Sequence, residues 1–219
     1  MRYSRTIVAT AVASVSLALM SAPAYADSTA VLTTGSLAGA NATDGDVLTA
    51  ALSSGTTAFF ATTSGGTTGV SCTASSFSAT VVDNPAAPGT ATESTTAQTF
   101  GTCTANIVGV TKVNSVVVAN APFATTVASD GTVTVTGTST APIQTTLSLG
   151  TILGSISCVY QAASIAGVAS NTDNSITFTN QVFPKTSGSI LCPSNGYFTA
   201  SYAPVQDTTV SGSPSIFTN

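Results

Sequence analysis

Apolar residues alternate with threonine and serine along most of this chain. Phe77, Ala79 and Val81 are separated by Ser78 and Thr80, and Val133 and Val135 sit between Thr132, Thr134 and Thr136. Ile143, Thr145, Leu147 and Leu149 share one side of a further run. A period of two puts successive side chains on opposite faces of a strand, so each run predicts a strand with one buried face. Other strands are expected over Val47 to Leu52, Thr57 to Ala61, Val70 to Ala74, Ala97 to Cys103, Ile156 to Tyr160, Ile176 to Phe178 and Tyr197 to Tyr202, with Val210 and Ile216-Phe217 closing the chain. Val116-Val117-Val118 is a short continuous run that suits a strand buried on both faces. Gly, Pro and Asn clusters punctuate these runs at Ser64-Gly65-Gly66, Asn84 to Gly89, Ser129-Asp130-Gly131, Asn171 to Asn174 and Pro193 to Gly196. The pattern predicts an all-β fold, read as an antiparallel β-sandwich of Ig-like or Greek-key type rather than a barrel, although alternation is common to both.

The first 26 residues have a different pattern. Arg2 and Arg5 precede an apolar run from Ile7 to Met20, and Ala24-Tyr25-Ala26 forms a small-residue cleavage site before Asp27. These are the three parts of a secretory signal peptide, and the run is shorter than the roughly 20 residues that span a bilayer. Residues 1–26 are therefore expected to be removed at the Ala26/Asp27 bond, and residues 27–219 to form the mature all-β domain.

Export changes the charge balance. Both arginines leave with the signal, so Lys112 and Lys185 stand against eight acids, a net side-chain charge of −6. Nucleic acid and anionic membrane surfaces are recognised by fields of basic residues, and no such field is present. No nucleic-acid partner and no membrane insertion after cleavage are expected, and a small-molecule, glycan or cell-surface partner stays open. Val, Ile and Thr are abundant, which fits an ordered, pleated surface rather than a disordered chain.

The chain has four cysteines, Cys72, Cys103, Cys158 and Cys192. In an exported chain they are expected to be oxidised, and three connectivities are open. Pairing Cys72 with Cys103 and Cys158 with Cys192 closes two loops of similar length with similar flanks. Ser71-Cys72 echoes Ser157-Cys158, and Asn106 and Asn195 each follow the second cysteine by three positions. Two similar β units, 27–118 and 119–219, each with one disulfide, would account for the echo.

Candidate chemistry is sparse. Histidine is absent, which removes Ser-His-Asp and Cys-His catalysis and imidazole metal ligands. No S-x-x-K, G-x-S-x-G, P-loop or dinucleotide motif is present. Paired carboxylates could cleave glycosides, but tryptophan is absent and tyrosine is scarce, so sugar platforms are missing. Asn41, Asp44 and Asp46 read as an acidic turn rather than a calcium loop. Tyr197 and Tyr202 read as alternating core and surface positions rather than a ligand platform. No catalytic, metal or cofactor site is assigned, and no cofactor is expected.

Three stretches carry a resemblance: Ala169-Ser170-Asn171-Thr172-Asp173-Asn174-Ser175-Ile176, Asn84 to Ser94, and Cys192-Pro193-Ser194-Asn195-Gly196-Tyr197-Phe198 through Val205. They resemble a family of small secreted actinomycete β-proteins, a largely uncharacterised group from which no functional residues carry over. In size, disulfides and composition the chain is also similar to neocarzinostatin-type carrier proteins, which are shorter. The function expected is that of a secreted, non-enzymatic protein with a structural or adhesive role at the cell surface, wall or in the medium. The alternative is an extracellular binding module for a small apolar ligand or glycan. The loops Asp83 to Glu93 and Ser170 to Asn174 are the first places to look for function.

Overall fold

A computed structural model describes residues 28–219; the expected signal peptide and its expected Ala26/Asp27 cleavage position lie outside the described residues. Those residues form strands joined by turns, with no helix. In chain order the strands are β1 (Leu32–Thr34), β2 (Ala40–Asn41), β3 (Val47–Ala51), β4 (Ala58–Ala61), β5 (Gly69–Asp83), β6 (Thr90–Ala105), β7 (Val110–Ala119) and β8 (Phe123–Ala128). They continue as β9 (Thr132–Thr136), β10 (Ile143–Thr151), β11 (Gly154–Ala162), β12 (Ser164–Ser170), β13 (Ser175–Gly188), β14 (Asn195–Tyr202), β15 (Gln206–Asp207) and β16 (Ile216–Thr218).

The expected sandwich is corrected to a barrel. Strands β12, β9, β8, β6, β5, β4, β14 and β13 pair in that order, and β13 pairs back with β12, closing an eight-stranded antiparallel ring. The turn at Asn171–Asn174 brings Ser170 opposite Ser175 and closes that ring. Strands from both 27–118 and 119–219 enter the one barrel. Its inward face is mainly apolar, whereas β8, β9 and β12 present Thr, Ser, Ala and one Val outward. That is the reverse of the apolar outward band of a membrane-spanning barrel.

Long, bulged strands let one element serve two sheets. Strand β13 pairs with β12 up to Phe178 and, past a bulge at Thr179-Asn180, with β11 from Lys185. Asn180 has a left-handed φ of 55°, and its side chain bonds Ser64 and Gly65 across the β4–β5 turn. Its Asn side chain tolerates this backbone better than a branched one would. Beyond the bulge β13, β11, β10 and β7 form an apron that wraps back until β7 lies beside β6. Strand β6 pairs with β8 only through Thr95, so no ladder joins its remaining edge to β7. Strand β7 is consequently an edge: Val117 is exposed and Val116 and Val118 half-buried, not the doubly buried run expected.

A small sheet, β16-β1-β2, covers one end of the barrel. It is tied down by Asn84, which accepts from Leu32 N and donates to Leu32 O and Ala42 O, and by Asn171 and Asn174, which donate to carbonyls of β16. Two disulfides are present, Cys72–Cys103 and Cys158–Cys192, with Cα separations of 4.0 and 5.7 Å. The first staples directly opposed residues of β5 and β6. Both lie toward the other end of the barrel from the Asp83–Glu93 and Ser170–Asn174 loops, so they brace strands rather than those loops.

Candidate functional site

An eight-stranded barrel has an interior just wide enough to be filled by side chains or to hold one small ligand. Here a cavity of about 90 Å³ remains, running from inside the ring to the space beneath β7 and β10. Its lower part is aromatic. Phe60 on β4, Phe183 on β13 and Phe198 on β14 have ring centroids 5.8 to 6.5 Å apart where they touch, and Phe100 meets Phe198 edge-on at 6.1 Å. Two glycines make this packing feasible. A side chain on Gly196 would collide with the Phe60 ring, and one on Gly167 with Phe178.

The upper part carries polar groups. Residues Val81, Glu93, Thr125, Val135 and Ile165 stand in register across β5, β6, β8, β9 and β12 and form one rung of the barrel. Alternation along β6 turns Ala91, Glu93 and Thr95 inward together. Thr95 Oγ1 and Thr125 Oγ1 share a hydrogen bond of 2.7 Å. Glu93 is only 6 % exposed, lines the cavity, and its carboxyl has no hydrogen-bond partner among the described residues. Burial pushes its pKa up to about 7, because the ionised form has lost its water. A carboxyl in this position takes up a proton near neutrality, and when ionised it is a buried anion that a ligand cation would neutralise.

A second polar group is treated differently. Tyr202 OH lies 2.9 Å from both Ser75 Oγ and Gln98 Nε2, and Ser75 Oγ donates onward to Thr99 O at 2.7 Å. The phenol ring meets Phe77 edge-on at 5.4 Å. Burial pushes its pKa up to about 12, so it stays a neutral donor.

Residues considered from sequence fall as follows. Tyr202 and Phe198 are buried at the cavity wall, and Tyr197, on the opposite face of β14, is half-buried and does not line the cavity. Tyr160 is buried against Phe60 and donates to Pro193 O. Asn41 and Asp46 are used on backbone: Asn41 accepts from Ala30 N and Asp46 from Thr43 N, while Asp44 is exposed. Asp207 is wholly buried at β15 with one carboxylate oxygen unpartnered among the described residues, but it lines neither that cavity nor a smaller one beneath the cap sheet.

Sequence reasoning missed Glu93 as a site residue. The inward face of β6 at this level reads Ala-Glu-Thr and has no hydrophobic signal; only the regular spacing of Ala91, Glu93 and Thr95 hints at a strand. Comparison of the chain with protein-family models, curated proteins and solved structures returns no match.

Proposed function

We propose that this chain is an extracellular binding module that holds a small apolar molecule with a single cationic head inside its barrel. The observation that supports this most is Glu93, a buried carboxyl without a protein partner, facing a cavity walled mainly by aromatic and aliphatic groups. Ligand sites commonly combine apolar walls with a few placed polar groups. An ammonium group beside Glu93 would replace its lost hydration while a branched aliphatic body fills the space between Phe178, Phe198 and Val118. The two disulfides are consistent with an extracellular protein, and the resemblance to secreted actinomycete β-proteins belongs to the same reading. The cavity favours binding over the structural or adhesive role expected from the sequence. Binding rather than turnover is supported by the lack of a second carboxylate or a lysine in the cavity lining.

Size limits the ligand. An apolar void of about 150 Å³ takes benzene, so 90 Å³ admits a body of a few heavy atoms unless side chains give way. The test is a thermal-shift and calorimetric panel at pH 8 with isobutylamine and cyclopentylamine against alcohols of the same shape. The amines are expected to raise the melting temperature more than the alcohols, and Glu93→Gln to erase that preference. Equal shifts for amines and alcohols, or no shift from any compound, would rule the reading out.

A further inference from the structure

The five most exposed large apolar side chains gather at one end of this molecule and the aspartates at the other, where Leu37, Val82 and Val210 are exposed to a lesser degree. The connections β6–β7, β10–β11 and β13–β14 emerge at one end: Thr151 pairs with Val110, and Ser189 N bonds Ser157 O. Their tips carry Val108, Ile152, Leu153, Ile190 and Leu191, which are between 67 % and 99 % exposed. No acid occurs in these connections. Both lysines lie behind them. Lys112 is exposed on β7 with its stem over Gly150, and Lys185 Nζ donates to Ser189 O and Cys192 O, clamping the loop that presents Ile190 and Leu191. The six described aspartates, Asp44, Asp46, Asp83, Asp130, Asp173 and Asp207, are all at the other end, in or beside the turns around the cap sheet.

We propose that the end bearing Val108, Ile152, Leu153, Ile190 and Leu191 docks on a phospholipid bilayer, with the aliphatic tips in the headgroup–acyl boundary and Lys112 toward the phosphates. Exposed aliphatic groups concentrated in one place mark an interaction surface. These are separate points on three turns, and a bilayer interface accepts separate points without matching their shape, whereas a protein partner needs a complementary surface. A second copy docked head to head would bring the lysines together. The threonine-faced wall stays outside, so the contact is shallow.

Net charge alone argued against a membrane, but that reading treats charge as evenly spread. Strand β5 runs from Gly69 near the apolar end to Asp83 at the acidic end, 15 residues. At about 3.3 Å per residue and a barrel tilt near 40°, the ends are on the order of 40 Å apart. The screening length at physiological salt is about 8 Å, so the aspartates do not repel a surface met by the lysine end.

Flotation of the disulfide-bonded chain with vesicles of phosphatidylcholine, alone or with a quarter phosphatidylglycerol, tests this. Wild type is expected to float with both, more with the anionic mixture, and to stay bound at high salt because the apolar tips carry the contact. The double variant Leu153→Asp/Ile190→Asp is expected to lose about tenfold or more in partitioning while melting at the wild-type temperature, since both side chains are exposed. Val168→Asp, on the barrel wall, is expected to bind like wild type. The proposal is overturned if wild type floats with neither vesicle, if the double variant floats as well as wild type, or if salt alone releases the protein. A dimer that the double variant dissociates, without vesicle binding, would overturn it in favour of a second copy.

Discussion

Glu93 and Tyr202 face the same cavity from different sides and are equipped in opposite ways. The Tyr202 hydroxyl has two side-chain partners, Ser75 and Gln98, in a chain that ends on a backbone carbonyl. Glu93 has Thr125 opposite it on the neighbouring strand, but Thr125 bonds Thr95 instead. A buried polar group that is fully bonded helps specify a fold, whereas one left unbonded costs stability. The contrast sets the bonded Tyr202 side apart from the Glu93 side, which the proposed ligand would complete.

The largest expected effect lies beneath both. Phe198→Ala removes the ring that meets Phe100, Phe178 and Phe183, and should lower stability by about 3–5 kcal/mol in urea titration. A loss below about 1 kcal/mol would mean the aromatic layer is not the wall that supports both polar sides.

Glu93 comes next. Burial holds its folded pKa at about 7, above the ordinary carboxylate value of 4.5, so the folded protein binds more protons than the unfolded chain between these values. Stability should therefore fall as pH rises from about 4.5 to 7, by about 3 kcal/mol in all. The melting temperature should climb as pH is lowered from 8 to 5, and Glu93→Gln should flatten that slope and melt higher at pH 8. A flat wild-type profile would place a partner beside the carboxyl and erase the contrast with Tyr202.

Tyr202→Phe should cost about 1–2 kcal/mol, with no change in pH slope, because Gln98 loses an acceptor in a buried network. An added pH slope would couple the two sides. The smallest effect expected is Thr125→Val, at about 1 kcal/mol or less from the bond to Thr95. If that variant also moves the Glu93 titration, Thr125 is a positioning partner of the carboxyl after all.

The strand positions were legible where apolar and hydroxyl residues alternate, as at Phe77–Val81, Val133–Val135 and Ile143–Leu149. Closure was not. Whether β12 meets β13 depends on the register set by the Asn171–Asn174 turn and on the bulge at Asn180, and neither changes the alternation. The β6 segment from Thr90 to Thr96 was hidden because its inward face is polar where it builds the candidate site. The role of Val116 to Val118 was misjudged because an unpaired edge beside β6 is a tertiary event. Segregation of charge was equally invisible, since residues as distant in sequence as Asp44 and Asp173 share one end only after folding.

The cap sheet has a consequence for the order of events in time. Strand β1 pairs with β16, and Asn219 Nδ2 donates to Thr33 Oγ1 across 186 positions. A chain synthesised from its N-terminus cannot make these contacts until residues 216–219 have emerged, and contacts this distant in sequence slow folding. The cap sheet at the acidic end is therefore completed only after every strand of the barrel has been synthesised.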